Sequence, residues 1–280
     1  MSAADKTENA KVVLNADNSI ALRDYFEWET VAAVEAKAKE LDSRLPDNKP
    51  LYFVINSGGG DVNAGLELIE TLKHLNRPVV TVTIFAASMG FQTVQGLGTR
   101  YVQSNGTLMA HRARGGFSGE FPGQLDSRYG YWLKRINRLD AQAVARTNGK
   151  HTIESFHNLI ANEYWCDGQD CVNDGFADAV VDARCDDSLK GTTNKVQHFE
   201  FFGKTIELRT VMDKCPLVTG VLSYEVYVNG KSLYTFIDNG ESKTWNTDNK
   251  SFSEAEIKII IDRVDNIISD KNNRTIRKSY

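Results

Sequence analysis

The chain has 280 residues, 41% of them hydrophobic and 25% charged, with a formal charge of −4, the profile of an ordinary globular protein long enough for one large domain or a domain with an appendage. The acidic balance argues against a nucleic-acid partner, which recruits a basic face, and no apolar run approaches the ~18 residues of a membrane span. The first residues, MSAADKTENAKVV, lack the apolar stretch of a secretory signal, so a cytoplasmic location is expected, and a periplasmic or secreted one only if a leader precedes this numbering.

In chain order, KVVLNADNSIAL (residues 11–22) alternates enough for one opening strand. Val31, Val34, Ala38, Leu41 and Leu45 recur at helical spacing and predict an amphipathic helix over 30–45. After the break NKP, LYFVIN is a short continuous apolar run, as in a strand covered on both faces. Beyond a run of glycines, Val62, Leu66, Ile69, Leu72 and Leu75 mark a second helix. RPVVTVTIF is β-branched and strand-like, and AASMGFQTVQGLG can enter a helix directly after it. TRYVQSNGTLMAH reads as two short strands about an Asn-Gly turn. A longer helix is predicted over 124–147 from Leu125, Tyr129, Trp132, Ile136, Leu139 and Ala143, then another over 152–162 and a short strand in GFADAVVD. This alternation is the grammar of an α/β fold with a mainly parallel sheet.

The polar, turn-rich stretch 186–195 reads as a linker between a first domain, 1–185, and a small α+β module, 196–280. The module shows strands in HFEFFGKTIELRT and VLSYEVYVNGKSLYTFI, with Asn229-Gly230 as a hairpin turn. Its terminal helix opens with Ser253 and Glu256 in capping-box spacing and carries Ile257, Ile260, Ile261, Val264 and Ile268 on one face. The basic end, KNNRTIRKSY, reads as a solvated tail.

Cys166, Cys171 and Cys185 cluster, with Cys215 apart. Their spacings of five and fourteen match no common zinc pattern and no histidine lies among them. Free thiols are expected in a reducing compartment, and a disulfide within the cluster in an oxidising one.

Three features carry chemistry. Gly58, Gly59 and Gly60 follow the buried strand, where bare backbone can offer N–H groups to an anion or a developing oxyanion. Asp61 stands where a phosphate loop needs its lysine and serine or threonine, which opposes a nucleotide. Ser88, in AASMG, sits at a strand-to-helix junction with the Met89 N–H beside it; a helix cap is the plain reading of such a serine. His111, in LMAHRARGG, ends the following strand, where an imidazole can reach a strand-end hydroxyl. His74, His151, His157 and His198 read as surface residues.

Together, INSGGGDVNAG, AASMG, LMAHRARGG and EYWCDGQDCVNDGFADAV resemble, in order and rough spacing, the motifs of the Clp-type serine peptidase family, proteolytic subunits whose fold is shared with crotonases. The resemblance spans roughly residues 12–184 and is closer to the phage-like or stand-alone branch. It implies ClpP/crotonase-like stacked ββα units with a mainly parallel sheet, followed by the small α+β appendage. It also implies a serine endopeptidase with Ser88 as nucleophile, His111 as general base and Glu163, two residues before Trp165, as the acid, with Asp167 in reserve. The oxyanion donors fall on Gly60 and Met89, and Gly59, Gly115 and Gly116 on the substrate path, in part through RGGFSGEF as a strand that pairs with bound peptide. No cofactor and no metal are implied. Polypeptide substrates and a homo-oligomeric ring are, with the 124–162 region resembling the family's projecting handle. The N-terminal residues carry no docking signature for an AAA+ unfoldase.

Three departures stand out: Gly58 in place of the usual proline, Glu163 in place of the usual aspartate, and a tail after residue 190 without a counterpart in the family core. Two other functions compete on the same fold, a crotonase-like acyl-CoA-binding enzyme, whose chemistry does not need Ser88, and a catalytically silent assembly protein.

Overall fold

The computed structural model describes residues 9–44, 49–201, 203–218, 221–238, 243–246 and 253–277, and the chain divides into two compact units, 1–189 and 190–280.

The first unit is an α/β fold. Its strands are β1 (Ala10–Leu14), β2 (Ser19–Leu22), β3 (Leu51–Ser57), β4 (Val79–Ala87), β5 (Thr99–Ala110), β6 (Tyr164–Asp167) and β7 (Ala179–Cys185). They form one sheet in the order β1-β7-β5-β4-β3-β2, with β6 added against β5. Every pairing is parallel except that of β5 with β6. The helices are α1 (Trp28–Asp42), α2 (Val62–Lys73), α3 (Met89–Gly96), α4 (Gln124–Ala145), α5 (Ile153–Leu159) and α6 (Gly168–Asn173).

The expected single opening strand is two strands, β1 and β2, which lie at opposite edges of that path. Asn15–Asn18 interrupt them with a turn in which Asn15 Oδ1 accepts from the Asn18 N–H at 2.8 Å. In a flat sheet the two edges would stand about 24 Å apart, whereas the step from Leu14 to Ser19 reaches about 17 Å at most. The sheet must therefore coil.

The expected Asn-Gly turn is a bulge inside one continuous strand. Thr83 pairs with Val102 and Phe85 with Thr107, so residues 103–106 stand against Ile84 alone and β5 carries three extra residues there. Gly106 fits because a Cβ there would stand 2.5 Å from the Thr83 carbonyl oxygen. The bulge separates the two tasks of β5: Tyr101–Gln103 pair with β7, and Thr107–Ala110 pair with β6.

Val31, Val34, Ala38 and Leu41 of α1 are buried as the spacing predicts, and Leu45 lies outside the described residues. Ala64, Leu68, Ile69 and Leu72 of α2 join the same core. The fully buried Arg100 pins the far side: its guanidinium donates to Asp178 Oδ1 at 2.5 Å, to Gln95 Oε1 at 2.6 Å and to the Gly175 carbonyl at 3.0 Å. On α4 the helical spacing holds only toward the C-terminal end: Leu139, Asp140 and Ala143 are buried, while Tyr129, Tyr131 and Leu133 are exposed.

The second unit is an antiparallel sheet in sequence order, β8 (Thr192–Phe201), β9 (Lys204–Asp213), β10 (Val221–Val228), β11 (Lys231–Asp238) and β12 (Lys243–Asn246), with helix α7 (Glu254–Arg277). Ile206, Leu208, Val226, Val228 and Leu233 pack with Ile260 and Val264 of α7. The Ser253–Glu256 capping box forms, with the Ser253 N–H donating to Glu256 at 3.1 Å. Asn229 and Gly230 both take positive φ at the β10–β11 turn, as a two-residue hairpin requires. The stretch 186–195 forms a 3-10 turn at Asp187–Leu189 and the start of β8, and the basic end continues α7 to Arg277.

Candidate active site

The glycine turn is shaped first by the protein's own backbone. Phe26 bridges to Gly60: its N–H donates to the Gly59 carbonyl, and its carbonyl accepts from the Asp61 N–H, both at 2.8 Å. Both bonds come from the neighbours of Gly60, so the Gly60 N–H is not used in the bridge. A Cβ on Gly60 would stand 2.7 Å from Phe26 N and O. Phe26 therefore already requires bare backbone at Gly60, through a pairing across 34 positions that no local pattern signals. Asp61 caps α2, accepting from the Asn63 and Ala64 N–H groups at 2.7 and 2.9 Å.

Gly59 faces the serine. With φ of +100°, it occupies a place where a Cβ would stand 2.6 Å from Ser88 Cβ and 3.0 Å from the Met89 nitrogen. Ser88 has φ 56° and ψ −114° and begins α3, yet its side chain makes no cap hydrogen bond. The side chain does not cap α3, and Ser88 forms a strained elbow between β4 and α3. The Ser88 N–H donates to the Met109 carbonyl at 2.9 Å, which ties the elbow to β5. Gly65 leaves room for the Met89 side chain, which would meet a Cβ there at 2.4 Å.

β4, β5 and β6 are adjacent, and each carries one candidate at the same end. Ser88 follows Ala87, His111 follows Ala110, and Glu163 precedes Tyr164. Ala87 pairs with Met109 and Ala110 with Tyr164, so His111 and Glu163 each lie one residue beyond a paired strand end. The fold thus brings the three residues to the same end of neighbouring strands.

It does not join their side chains. Among the described residues no hydrogen bond links Ser88 to His111 or His111 to Glu163. His111 Nδ1 lies 2.7 Å from the Arg112 carbonyl oxygen, and Glu163 Oε1 lies 3.2 Å from Arg114 Nη2. A carbonyl only accepts, so Nδ1 carries a proton in this contact. Asp167 is occupied differently, accepting from Thr107 Oγ1 at 2.5 Å.

Beside Glu163 (φ 65°), Tyr164 is buried and donates to Asp174 at 2.5 Å. Burial, and then that hydrogen bond, push its phenol well above the usual range, so it stays a neutral donor that anchors β6. Residues 111–120 form no strand, and a Cβ on Gly115 or Gly116 would meet nothing within 4 Å.

Two of the histidines read as surface residues are packed. His151 stacks on Phe176 at 5.0 Å. His157 Nε2 lies 3.1 Å from Asp140, whose carboxyl is pushed up by burial and held back by His157 and Gln92. Acidic partners and aromatic neighbours far along the chain gave those positions no sequence signal. Cys166 and Cys171 form a disulfide between β6 and α6.

The coiled, mainly parallel sheet with its glycine turn and strand-to-helix elbow belongs to the ClpP/crotonase-like class of α/β folds. The profile of the Clp protease family matches residues 3–184, and the chain belongs to that family. Similar proteins include the ATP-dependent Clp protease proteolytic subunits of Streptococcus suis (strain 98HAH33), 29% identical, and Streptococcus mutans serotype c, 27% identical. Each alignment runs over 171 residues, 59% of this chain and 85% of the relative. Among the described residues no helix is long and apolar enough to cross a membrane.

Proposed function

We propose that the chain is a serine endopeptidase in which Ser88 attacks a peptide carbonyl, His111 moves the proton and Glu163 orients His111. The observation that carries the reading is the alignment of Ser88, His111 and Glu163 at the ends of three neighbouring strands. In the reaction the Ser88 oxygen bonds to the carbonyl carbon while His111 Nε2 takes the hydroxyl proton. The resulting oxyanion faces the Gly60 and Met89 N–H groups. Collapse breaks the C–N bond, and the leaving amine takes the proton from His111. Water then attacks the acyl-enzyme with His111 again as base, which releases the acid and restores Ser88. Gly59, Gly115 and Gly116 keep the substrate path open. Polypeptide substrates and a homo-oligomeric ring follow from family membership, and an ATPase partner is not part of the proposal.

A silent assembly protein is favoured by one observation, the engagement of His111 and Glu163 with other groups. A fluorophosphonate probe separates the two. Stoichiometric labelling at Ser88, located by peptide mass spectrometry, absent in Ser88→Ala and weakened in His111→Ala, supports the peptidase. A folded, assembled sample that does not label supports the silent protein.

A further inference from the structure

We propose that Asp140 is a positioning residue for Ser88, acting through the Gln92 side chain, and that the charge carried by His157 sets how firmly it holds. The inference rests on the peptidase reading.

Three helices meet in one polar contact. Gln92 lies one turn after Ser88 on α3, and its N–H donates to the Ser88 carbonyl at 3.2 Å. Its Nε2 donates to Asp140 Oδ1 on α4 at 3.4 Å. The other carboxylate oxygen, Oδ2, lies 3.1 Å from His157 Nε2 on α5. The Asp140 side chain is 7% exposed and that of His157 40%, so the contacts run from solvent to the first turn behind the serine. Phe156, fully buried beside His157, stacks on Phe91 of α3 at 6.1 Å and fixes α5 over the same junction.

The contact bears on Ser88 because α3 has only eight residues and starts from strained backbone. A φ of 56° at Ser88 persists only where the surroundings hold it. The far end of α3 is held by Gln95, which donates to the Phe176 carbonyl at 2.9 Å and accepts at its own carbonyl from Gln142 of α4 at 3.2 Å. Nearer Ser88, the polar tie to α4 among the described residues is the Gln92–Asp140 bond. Gln92 Oε1 is buried and takes no hydrogen bond among those residues, so the amide is oriented from its donor side and Asp140 must accept. An ionised carboxylate does so. A protonated acid, or an asparagine, can instead turn a donor toward the unsatisfied Oε1 and release the orientation of the amide.

Burial pushes the Asp140 carboxyl up, and His157 and then Gln92 hold it back. Other charges around His157 are few. Neither α3 nor the 3-10 turn Ile160–Asn162 carries a charged residue. On α5, Glu154 lies one turn earlier and is exposed. On α4, Arg138 is exposed, and Arg135 lies over the Tyr131 and Trp132 rings. The partner of His157 is therefore Asp140, and a charged imidazole bonds that carboxylate more strongly than a neutral one.

The test begins with fluorophosphonate labelling of the wild-type protein at Ser88. Its absence removes the peptidase reading, and this inference with it, before any variant is compared. With labelling present, Asp140→Asn and Gln92→Met are each expected to label about threefold or more slower than wild type at about pH 6. Because the two residues act in series, adding Asp140→Asn to Gln92→Met should slow labelling further by less than about 1.5-fold. His157→Gln keeps a neutral donor and loses the charge. The ratio of wild-type to His157→Gln rates should be about threefold at pH 6 and fall toward one at about pH 8.5, where imidazoles are neutral. Any titration common to both proteins cancels in that ratio. A purely structural buried pair would leave it flat. A wild-type rate in Asp140→Asn, a slowing that Gln92→Met does not absorb, or a ratio independent of pH each overturns the proposal. If Asp140→Asn does not fold, Gln92→Met, which conserves volume, and His157→Gln, at a part-exposed position, decide it.

Discussion

Arg114 holds Glu163: Nη2 of the first lies 3.2 Å from Oε1 of the second, only three residues beyond His111. The proposed acid and the proposed base thus lie one residue beyond the paired ends of β6 and β5, and the loop that follows β5 engages the acid. Arg114 is 67% exposed, so the pair is worth no more than about 1 kcal/mol. Replacing it with glutamine should free Glu163 and speed fluorophosphonate labelling of Ser88 by up to about fivefold. In the Glu163→Gln background the gain should disappear. A slower or unchanged rate in Arg114→Gln would mean that the pair supports the site or is irrelevant to it.

The glycines of the two candidate segments should answer substitution in opposite ways. Gly59→Ala places a methyl 2.6 Å from Ser88 Cβ at a φ of +100°. We expect a loss of about 2 kcal/mol or more in stability together with loss of Ser88 labelling. Gly115→Ala and Gly116→Ala meet open space, and the unfolding free energy should change by less than about 0.5 kcal/mol. Equal destabilisation at both places would contradict the geometry of the turn.

Much of this was legible in the sequence because it rests on local pattern. The periodicity of α1 and α2, the apolar run of β3 and the strand-to-helix step at Ser88 each show in a dozen residues or fewer. The misreadings of the sheet involve long-range pairing. One opening strand became β1 and β2 because the sheet coils until its edges approach. The Asn105-Gly106 pair, a hairpin signal by itself, became a bulge because β5 changes partner from β7 to β6. Gly60 was rightly read as a place needing bare backbone, but Phe26 is what fills it. The stacking of His151 on Phe176 and the contact of His157 with Asp140 depend on partners brought in by the chain before β7 and by α4. Arg114 stood inside a quoted motif without its charge having any partner in sequence. At the candidate site, residue types and order could be read, while which carboxylate, cation or carbonyl each side chain bonds could not.

The Arg100–Asp178 pair predicts a pH-dependent stability difference. Burial pushes the Asp178 carboxyl up, but hydrogen bonds from Arg100 and the charges of Arg100 and Arg146 outweigh it, so the net shift is downward. A depressed carboxyl contributes stability above its unfolded value, about 3.9, and loses it as pH falls toward the lower folded value. Asp178→Asn leaves the buried Arg100 without its charge partner. Since Asp178 is itself 35% exposed, a loss of roughly 2–3 kcal/mol at pH 7 is expected. The gap from wild type should narrow below about pH 4. Denaturant titrations at pH 7 and pH 3.5 measure it, and a gap that widens in acid would refute the assignment.

The Cys166–Cys171 disulfide joins the strand that begins one residue after Glu163 to the helix behind it. Both sulfur-bearing residues are buried, at 6% and 0% exposure, so a reductant should reach them only when that segment opens. The bridge closes a short loop, and a chain-entropy estimate gives it about 2 kcal/mol. Dithiothreitol added to the folded protein should therefore leave the Ser88 labelling rate near its starting value for as long as the bridge resists reduction. The double replacement Cys166→Ala with Cys171→Ala, which removes this bridge alone, should lower the unfolding stability by about 2 kcal/mol. Rapid thiol trapping in the native state would contradict the burial, and an undiminished stability in the double variant would mean that β6 is held chiefly by Tyr164 and its hydrogen bond to Asp174.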